Sequence, residues 1–212
     1  SAEIKPMIEI RNIKDTFAEG VDAGWKTVHA GELRRDEILE CDVVIVGTGA
    51  GGGTAAEILT QAGLDVVLIE EGPLRTTRDF RLDERSAYRD LYQEGAARTT
   101  KDGSMIILQG RNVGGSTTVN WTSSFRTPEQ TLLHWESVHG IKGMQKEQMA
   151  PWFDRMEKRL NIGQWTMPAN PNNDVIRRGC EQLGWSWESI PRNVNGCWNL
   201  GYCGLGCPTN AK

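Results

Sequence analysis

The sequence has no long apolar run and no block of basic residues. Its longest strongly apolar run, Val43 to Val46, is far shorter than the roughly 20 residues that a membrane-spanning helix needs. The 24 basic and 28 acidic residues nearly cancel, giving a net charge of -4, and no Lys/Arg stripe is present. The sequence therefore predicts neither a transmembrane segment nor a nucleic-acid partner.

Secretion signals and disulfide frameworks are also absent. No basic-then-apolar leader follows Ser1, so we expect a cytoplasmic location. Five cysteines among 212 residues are too few for a disulfide-stapled scaffold. The length and the ordinary apolar share of 38% predict one hydrophobic core and the beginnings of a second.

The clearest pattern is a strand–helix–strand unit. A β-branched run over residues 41–46 predicts a buried parallel strand, and residues 66–69 predict a second one. Between them, residues 54–62 have helical periodicity and Gly63 follows as a stop. This order predicts an α/β fold, a Rossmann-like parallel sheet with helices on both faces.

The remaining segments are less regular. Residues 75–98 are charged and predicted to be partly helical, and helices are predicted over 146–160 and 173–183. Asn172 or Asn173 would cap the last helix and Gly184 would end it. Four regions result: a polar N-terminal extension interrupted by Gly20 and Gly24 (1–40), a first domain that contains the strand–helix–strand unit (41–140), the start of a second domain (141–192) and a Cys/Gly-rich segment returning to the first domain (193–212).

The first strand ends in a glycine-rich motif, Gly47-Thr48-Gly49-Ala50-Gly51-Gly52, which fits G-x-G-x-x-G. Gly47 permits a tight turn, Gly49 lets the backbone approach a pyrophosphate, and Gly52 lets the helix pack closely on the sheet. Free N–H groups at the start of the helix would face the phosphates. Because the motif lies between a strand and a helix, it predicts a dinucleotide site.

An acidic residue follows the second strand at the expected distance. Glu70 lies 18 residues after Gly52, where its carboxylate can accept hydrogen bonds from a pair of ribose hydroxyls. A carboxylate there disfavours a 2′-phosphate and therefore NADP. FAD and NAD remain open at this point.

A second glycine motif begins about forty residues later, and its candidate binding residues are Arg111, Gly114, Gly115, Ser116 and Asn120. Paired glycines followed by hydroxyls offer bare backbone and small donors to a planar or anionic ligand. From the residues alone, a surface loop is equally compatible with the pattern.

The run Gly110-Arg111-Asn112-Val113-Gly114-Gly115-Ser116 through Asn120 resembles the first signature of the glucose–methanol–choline (GMC) flavoenzymes. The first motif, with Glu70-Glu71-Gly72 after it, is similar to the ADP-binding segment of that family. The resemblance implies FAD as cofactor, with Gly114, Gly115, Ser116 and Asn120 near the flavin. It also implies oxidation of an alcohol CH–OH group with hydride transfer to flavin N5.

Four residues separate Asn120 from Phe125, where the usual signature has three. The stretch most resembles the long-chain fatty-alcohol oxidase branch, which implies an apolar alcohol substrate. A rival interpretation from another class is a non-catalytic or NAD-binding Rossmann module.

Three cysteines, Cys197, Cys203 and Cys207, crowd into the last sixteen residues. Small packed thiols, a Cys203–Cys207 disulfide and an iron–sulfur cluster are all compatible with the spacing. The packed thiols are favoured, and no metal is assigned.

The histidines are few: His29, His134 and His139. In the GMC family the base is a His paired with another His or Asn near the far C-terminus, and none of these three matches that motif. We therefore assign no catalytic residue and expect an N-terminal part of an enzyme that is inactive without a C-terminal part.

Overall fold

The structure is a computed structural model that describes residues 13–212, so the first twelve residues of the predicted extension lie outside the described residues. These residues form two compact units. One runs from residue 13 to Trp121 and takes in Trp198–Ala211, and the other spans Thr122–Cys197 with Lys212. Among residues 13–212, none of the helices combines the length and apolar character that crossing a bilayer requires.

The strand–helix–strand unit is present as predicted. Strand β1 (Val43–Val46) pairs in parallel with β2 (Val66–Ile69), and helix α2 (Ala50–Gln61) connects them. Ala62 caps the helix and Gly63 follows with a φ of 88°, so the predicted stop is confirmed. The helix begins four residues earlier than residue 54, because the motif glycines themselves adopt helical geometry.

The two strands are less buried than their apolar sequences predict. Side chains alternate across a strand, and Ile45 points toward α2, where its Cγ2 would lie 3.3 Å from a Cβ at Gly52. Val44 and Val46 face the other way and are 54% and 83% exposed. The described residues therefore cover the two strands only in part.

The N-terminal extension contains a helix that the glycine pattern concealed. Helix α1 (Thr16–Asp22) is capped by Asp15, whose side chain accepts a hydrogen bond from the Ala18 amide at 3.0 Å. Gly20 lies inside this helix, where a Cβ would overlap the Trp25 ring, so the prediction that it interrupts the chain is wrong. Its lack of a side chain makes room for the indole.

The first unit has its buried apolar cluster away from the two strands. Helix α3 (Glu84–Leu91) lies in the charged segment predicted to be partly helical, and the short helix α4 (Ser116–Val119) lies in the second glycine motif. The cluster consists of Ala87, Leu91, Tyr92, Val119 and Leu205. Leu205 belongs to a 3₁₀ turn, Cys203–Leu205, that returns from the end of the chain.

The returning turn is joined to this cluster by a buried hydrogen bond. The Tyr92 hydroxyl donates to the Gly204 carbonyl at 2.7 Å, across 112 residues of sequence. Tyr92 is 6% exposed, and its ring meets the Tyr88 ring edge-on with centroids 5.5 Å apart. The bond fixes the position of the turn against α3.

The second unit contains three helices and a small antiparallel ladder. The helices are α5 (Glu129–His139), α6 (Lys146–Arg159) and α7 (Pro171–Leu183), and β3 (Ile162–Gly163) pairs with β4 (Arg192–Asn193). The second helix agrees with the predicted 146–160. Arg126 joins the preceding loop to α6 through ion pairs with Asp154 and Glu157 at 2.5 and 2.6 Å.

In this unit one helix boundary differs from the sequence expectation and one helix was not predicted. The cap of α7 is Asn170, which accepts from the Asn173 amide at 2.9 Å, and not Asn172 or Asn173. Pro171 at the first helical position allows this earlier start. Gly184 ends the helix in the left-handed conformation, as predicted. Helix α5 was not predicted, although it ends at Gly140 in the left-handed conformation and begins after Pro128.

The Tyr92 hydrogen bond can be tested by removing its hydroxyl. We expect Tyr92→Phe to lower the free energy of unfolding by about 1 kcal/mol, because the Gly204 carbonyl loses a buried donor. Tyr88→Phe is the matched control, since Tyr88 is 38% exposed and keeps its ring contact. Urea unfolding of the three proteins provides the measurement, and equal stability of all three would contradict the assignment.

Candidate functional site

The first glycine motif forms the turn between β1 and α2. Gly47 has a φ of 92°, which favours glycine, and its N–H donates to the Ile69 carbonyl at 2.7 Å. A Cβ at Gly52 would lie 1.9 Å from the Gly47 carbonyl oxygen, so only glycine fits there. Gly52 therefore lets the helix pack closely on the Gly47 turn as well as on the Ile45 side chain of the strand.

The start of α2 presents backbone donors. Gly49 caps the helix with extended geometry and no side-chain cap, and Ala50, Gly51 and Gly52 form the first turn. The first N–H groups of a helix have no intrahelical acceptor, and they carry the positive end of its dipole. A Cβ at Gly49 or Gly51 would meet no protein atom within 4 Å. This bare helix start suits the pyrophosphate of a dinucleotide.

Glu70 follows β2, and its carboxylate accepts several hydrogen bonds from the protein itself. Oε2 accepts from the Thr48 amide at 2.9 Å and from the Thr48 hydroxyl at 2.7 Å, and Oε1 accepts from the Gly72 amide at 2.9 Å. Partial burial raises the pKa of Glu70, but these hydrogen bonds outweigh it and hold the pKa below its usual value. The carboxylate is thus ionised and organises the turn that precedes α2.

The second glycine motif lies against the first. The Gly114 amide donates to the Thr48 hydroxyl oxygen at 3.0 Å. A Cβ at Gly115, whose φ is 54°, would lie 3.0 Å from the Cα of Gly49. The structure therefore brings together two turns that are more than sixty residues apart in sequence.

The other predicted residues of the second motif hold the loop in shape. The Ser116 hydroxyl accepts from the Gly110 amide at 3.0 Å, and Asn120 caps the end of α4. The Arg111 amide donates to the Leu91 carbonyl at 2.7 Å, while its guanidinium contacts the carbonyl and carboxylate of Glu71 at 3.3 Å. Arg111 thus forms an ion pair with the Glu71 carboxylate.

Two residues of this site were quoted in the motifs but not assigned a role. A Cβ at Gly72 would lie 2.3 Å from the Arg111 backbone, so the turn after Glu70 touches the second motif directly. Asn112 is fully buried, and its amide donates to the Leu91 carbonyl at 2.9 Å. Gly72 lies two residues after Glu70, to which its amide donates, and this spacing is the sequence signal that could have indicated its role.

The three C-terminal cysteines are not gathered into a metal site. No group of three His, Cys, Asp or Glu side chains able to hold a metal occurs among residues 13–212. None of the five cysteines is disulfide-bonded, so the Cys203–Cys207 disulfide is not formed. The Cys207 sulfur accepts from the Ala211 amide at 3.3 Å, which agrees with small thiols packed in a turn.

The contacts that the three histidines make among the described residues do not involve the two glycine turns. His29 accepts from the Gly31 amide at 3.3 Å. His134 and His139 belong to the second unit, where their rings meet edge-on with centroids 5.3 Å apart. None of these contacts is that of a general base in a substrate site.

Comparison with known proteins agrees with the two motifs. Residues 88–212 match the GMC oxidoreductase family, and residues 42–80 match the FAD binding domain family. The two matches contain the second and the first glycine motif, respectively.

Several proteins with curated descriptions are similar to the chain. Two long-chain-alcohol oxidases of Arabidopsis thaliana are 38% and 36% identical, over 88% and 82% of this chain and 25% and 24% of their own lengths. An uncharacterized GMC-type oxidoreductase of Mycobacterium tuberculosis is 35% identical over 82% of this chain and 28% of its own. The chain thus spans about a quarter of the length of these relatives.

Among solved structures, pyridoxine 4-oxidase from Mesorbium loti aligns with a TM-score of 0.41 and 24% identity. The alignment covers 53% of this chain and 24% of that one.

The role of Glu70 predicts a pH-dependent stability. Because its pKa is lowered on folding, its contribution is present above the ordinary carboxyl pKa and is lost as the pH falls through the folded value. We expect Glu70→Gln to lower the free energy of unfolding by about 2 kcal/mol at neutral pH, and the difference from wild type to shrink in acid.

The matched control is Glu71→Gln, because Glu71 is 65% exposed and pairs only at the surface with Arg111. Urea unfolding across a pH series measures both variants. A Glu70→Gln protein as stable as wild type at neutral pH would show that the carboxylate does not hold the turn.

Proposed function

The chain belongs to the GMC oxidoreductase family, and from that membership we propose that it is the N-terminal, FAD-binding part of an enzyme that oxidises alcohols. The FAD binding domain match over the first motif supports the cofactor. The observation that carries the proposal is the contact between the two glycine turns, made by the Gly114–Thr48 hydrogen bond and the Gly49–Gly115 approach.

The residues fit a dinucleotide with a flavin at one end. The start of α2 offers free N–H groups to a pyrophosphate, and open space adjoins Gly49 and Gly51. We assign Gly47, Thr48, Gly49, Ala50, Gly51 and Gly52 to the turn that holds the ADP half. Glu70 is assigned to the ribose beside them.

The second motif is assigned to the flavin half. Gly114 and Gly115 present backbone without side chains, and Ser116 keeps its hydroxyl proton for a further acceptor, since its oxygen accepts from Gly110. Asn120 lies at the end of the same short helix. Arg111 is assigned to steady the loop through Glu71.

A bound flavin supplies an acceptor for the hydride of the alcohol carbon. The protein must in addition remove the hydroxyl proton, and a base for that step has to lie within hydrogen-bond reach of the substrate oxygen. We propose that this base belongs to a part of the enzyme outside this chain. The contacts of the three histidines support this assignment.

The substrate that we propose is an apolar, long-chain alcohol. Support comes from the two similar proteins of Arabidopsis thaliana that are named long-chain-alcohol oxidases. A cytoplasmic location is also proposed, which fits a chain with too few cysteines for a disulfide scaffold. We assign no iron–sulfur cluster.

We also propose a division of the chain into four regions. Residues 41–140 contribute to the FAD domain after an extension of 1–40, residues 141–192 begin the substrate domain, and residues 193–212 return to the FAD domain. The Tyr92–Gly204 hydrogen bond supports the return.

Cofactor binding can be tested at a glycine where an added methyl group would touch only the ligand. At Gly49 the backbone angles suit alanine and a Cβ meets no protein atom within 4 Å. We therefore expect Gly49→Ala to fold normally but to bind FAD at least tenfold more weakly, a loss of about 1.4 kcal/mol. Flavin fluorescence and the visible absorbance of the purified protein give the measurement.

Gly53→Ala is the matched control, since Gly53 lies in the same helix and its Cβ would be 3.9 Å from the Thr48 carbonyl. It should bind FAD like wild type. A colourless wild-type protein that binds NAD instead would contradict the flavin assignment and favour the rival module.

Catalysis gives a second test. We expect the 212-residue chain to bind FAD but not to reduce a dye in the presence of a long-chain alcohol, because the base is assigned to residues outside it. The rate of dye reduction, measured with and without alcohol, tests this expectation. Alcohol-dependent reduction by this chain alone would show that it contains its own base.

A further inference from the structure

Thr48 occupies the variable position between the first two motif glycines, yet it makes the hydrogen bonds that connect the site. Its amide and hydroxyl both donate to Glu70 Oε2, at 2.9 and 2.7 Å. Its hydroxyl oxygen accepts from the Gly114 amide at 3.0 Å. The three residues come from the first turn, the end of β2 and the second turn.

The direction of this chain of hydrogen bonds is fixed by chemistry. A carboxylate can only accept, so the Thr48 hydroxyl proton must point to Glu70. The hydroxyl oxygen is then left to accept from Gly114, whose amide can only donate. A hydroxyl is required at this position, because neither an apolar side chain nor a donor-only group can serve both neighbours.

The same contacts limit what Glu70 can offer a ligand. A carboxylate has about four acceptor positions. Two on Oε2 and one on Oε1 are taken by Thr48 and Gly72. The Glu71 amide also interacts with this carboxylate, so Glu70 contributes more to the shape of the turn than to a bidentate ribose contact.

We propose that Thr48 is a positioning residue that holds the second glycine turn at the correct place against the first, so that one FAD can contact both. The inference rests on the proposed function. The hydroxyl acts through Gly114 and Glu70, and removing it releases the second turn while the start of α2 stays in place. The flavin half of the cofactor then loses its aligned backbone, and the ADP half does not.

The test compares Thr48→Val, which keeps the shape and removes the hydroxyl, with Thr48→Ser, which keeps the hydroxyl. FAD and ADP are titrated separately into the 212-residue chain by isothermal calorimetry. We expect Thr48→Val to weaken FAD binding about tenfold and ADP binding by less than about threefold. Thr48→Ser should stay within about threefold of wild type for both ligands.

Thr54→Val is the matched control, because Thr54 lies in α2 and its hydroxyl reaches neither turn among the described residues. It should leave both affinities unchanged. Equal weakening of FAD and ADP in Thr48→Val would overturn the inference, since Thr48 would then act on the first turn alone. Unchanged FAD affinity in Thr48→Val would overturn it as well.

A measurement without substitution covers the case in which Thr48→Val fails to fold. Hydrogen exchange of the Gly114 amide in the wild-type protein without cofactor should be slow, because that amide donates to Thr48. Fast exchange there overturns the inference. Wild-type protein that binds no FAD contradicts the proposed function instead, and the Gly114 amide still reports on the hydrogen bond by itself.

Discussion

The site depends on one ionised carboxylate. Glu70 lies where β2 ends, and its two oxygens hold the Thr48 and Gly72 amides and the Thr48 hydroxyl. Hydrogen bonds to a charged acceptor are stronger than those between neutral groups, and partial burial weakens competition from water. The strand end, the turn before α2 and, through Thr48, the second glycine turn therefore share one electrostatic anchor. The bare start of α2 is thus held in place before a ligand arrives.

The contacts between the turns explain why the motifs contain so many glycines. The expected reason was close approach to a ligand, and the open space at Gly49 agrees with it. Gly72 and Gly115 show a second reason, because a Cβ at either would press on the backbone of the other motif. Packing of backbone on backbone needs glycine on at least one side, since interiors have no room for an extra methyl group.

The sequence predicted the parts of the molecule that follow local rules. The strand–helix–strand order and the stop at Gly63 depend on periodicity and on glycine chemistry, and both are confirmed. The exposure of Val46 and the link through Thr48 depend on residues distant in sequence, which no local pattern describes. Gly20 was misjudged because the pattern does not show that the Trp25 ring, five residues later, folds back over it. Asn170 was missed because several asparagines nearby could each have served as cap.

The Tyr92–Gly204 bond has a consequence for biosynthesis. The segment Thr122–Cys197 of the second unit lies between its two ends in the sequence, so the first unit cannot complete its buried cluster until Leu205 has been translated. At ribosomal rates the 112 residues that follow Tyr92, up to and including Gly204, take on the order of ten seconds. Until then Leu91 and Val119 lack their contact with Leu205. The order of the residues in the chain therefore sets a waiting time before this cluster can form.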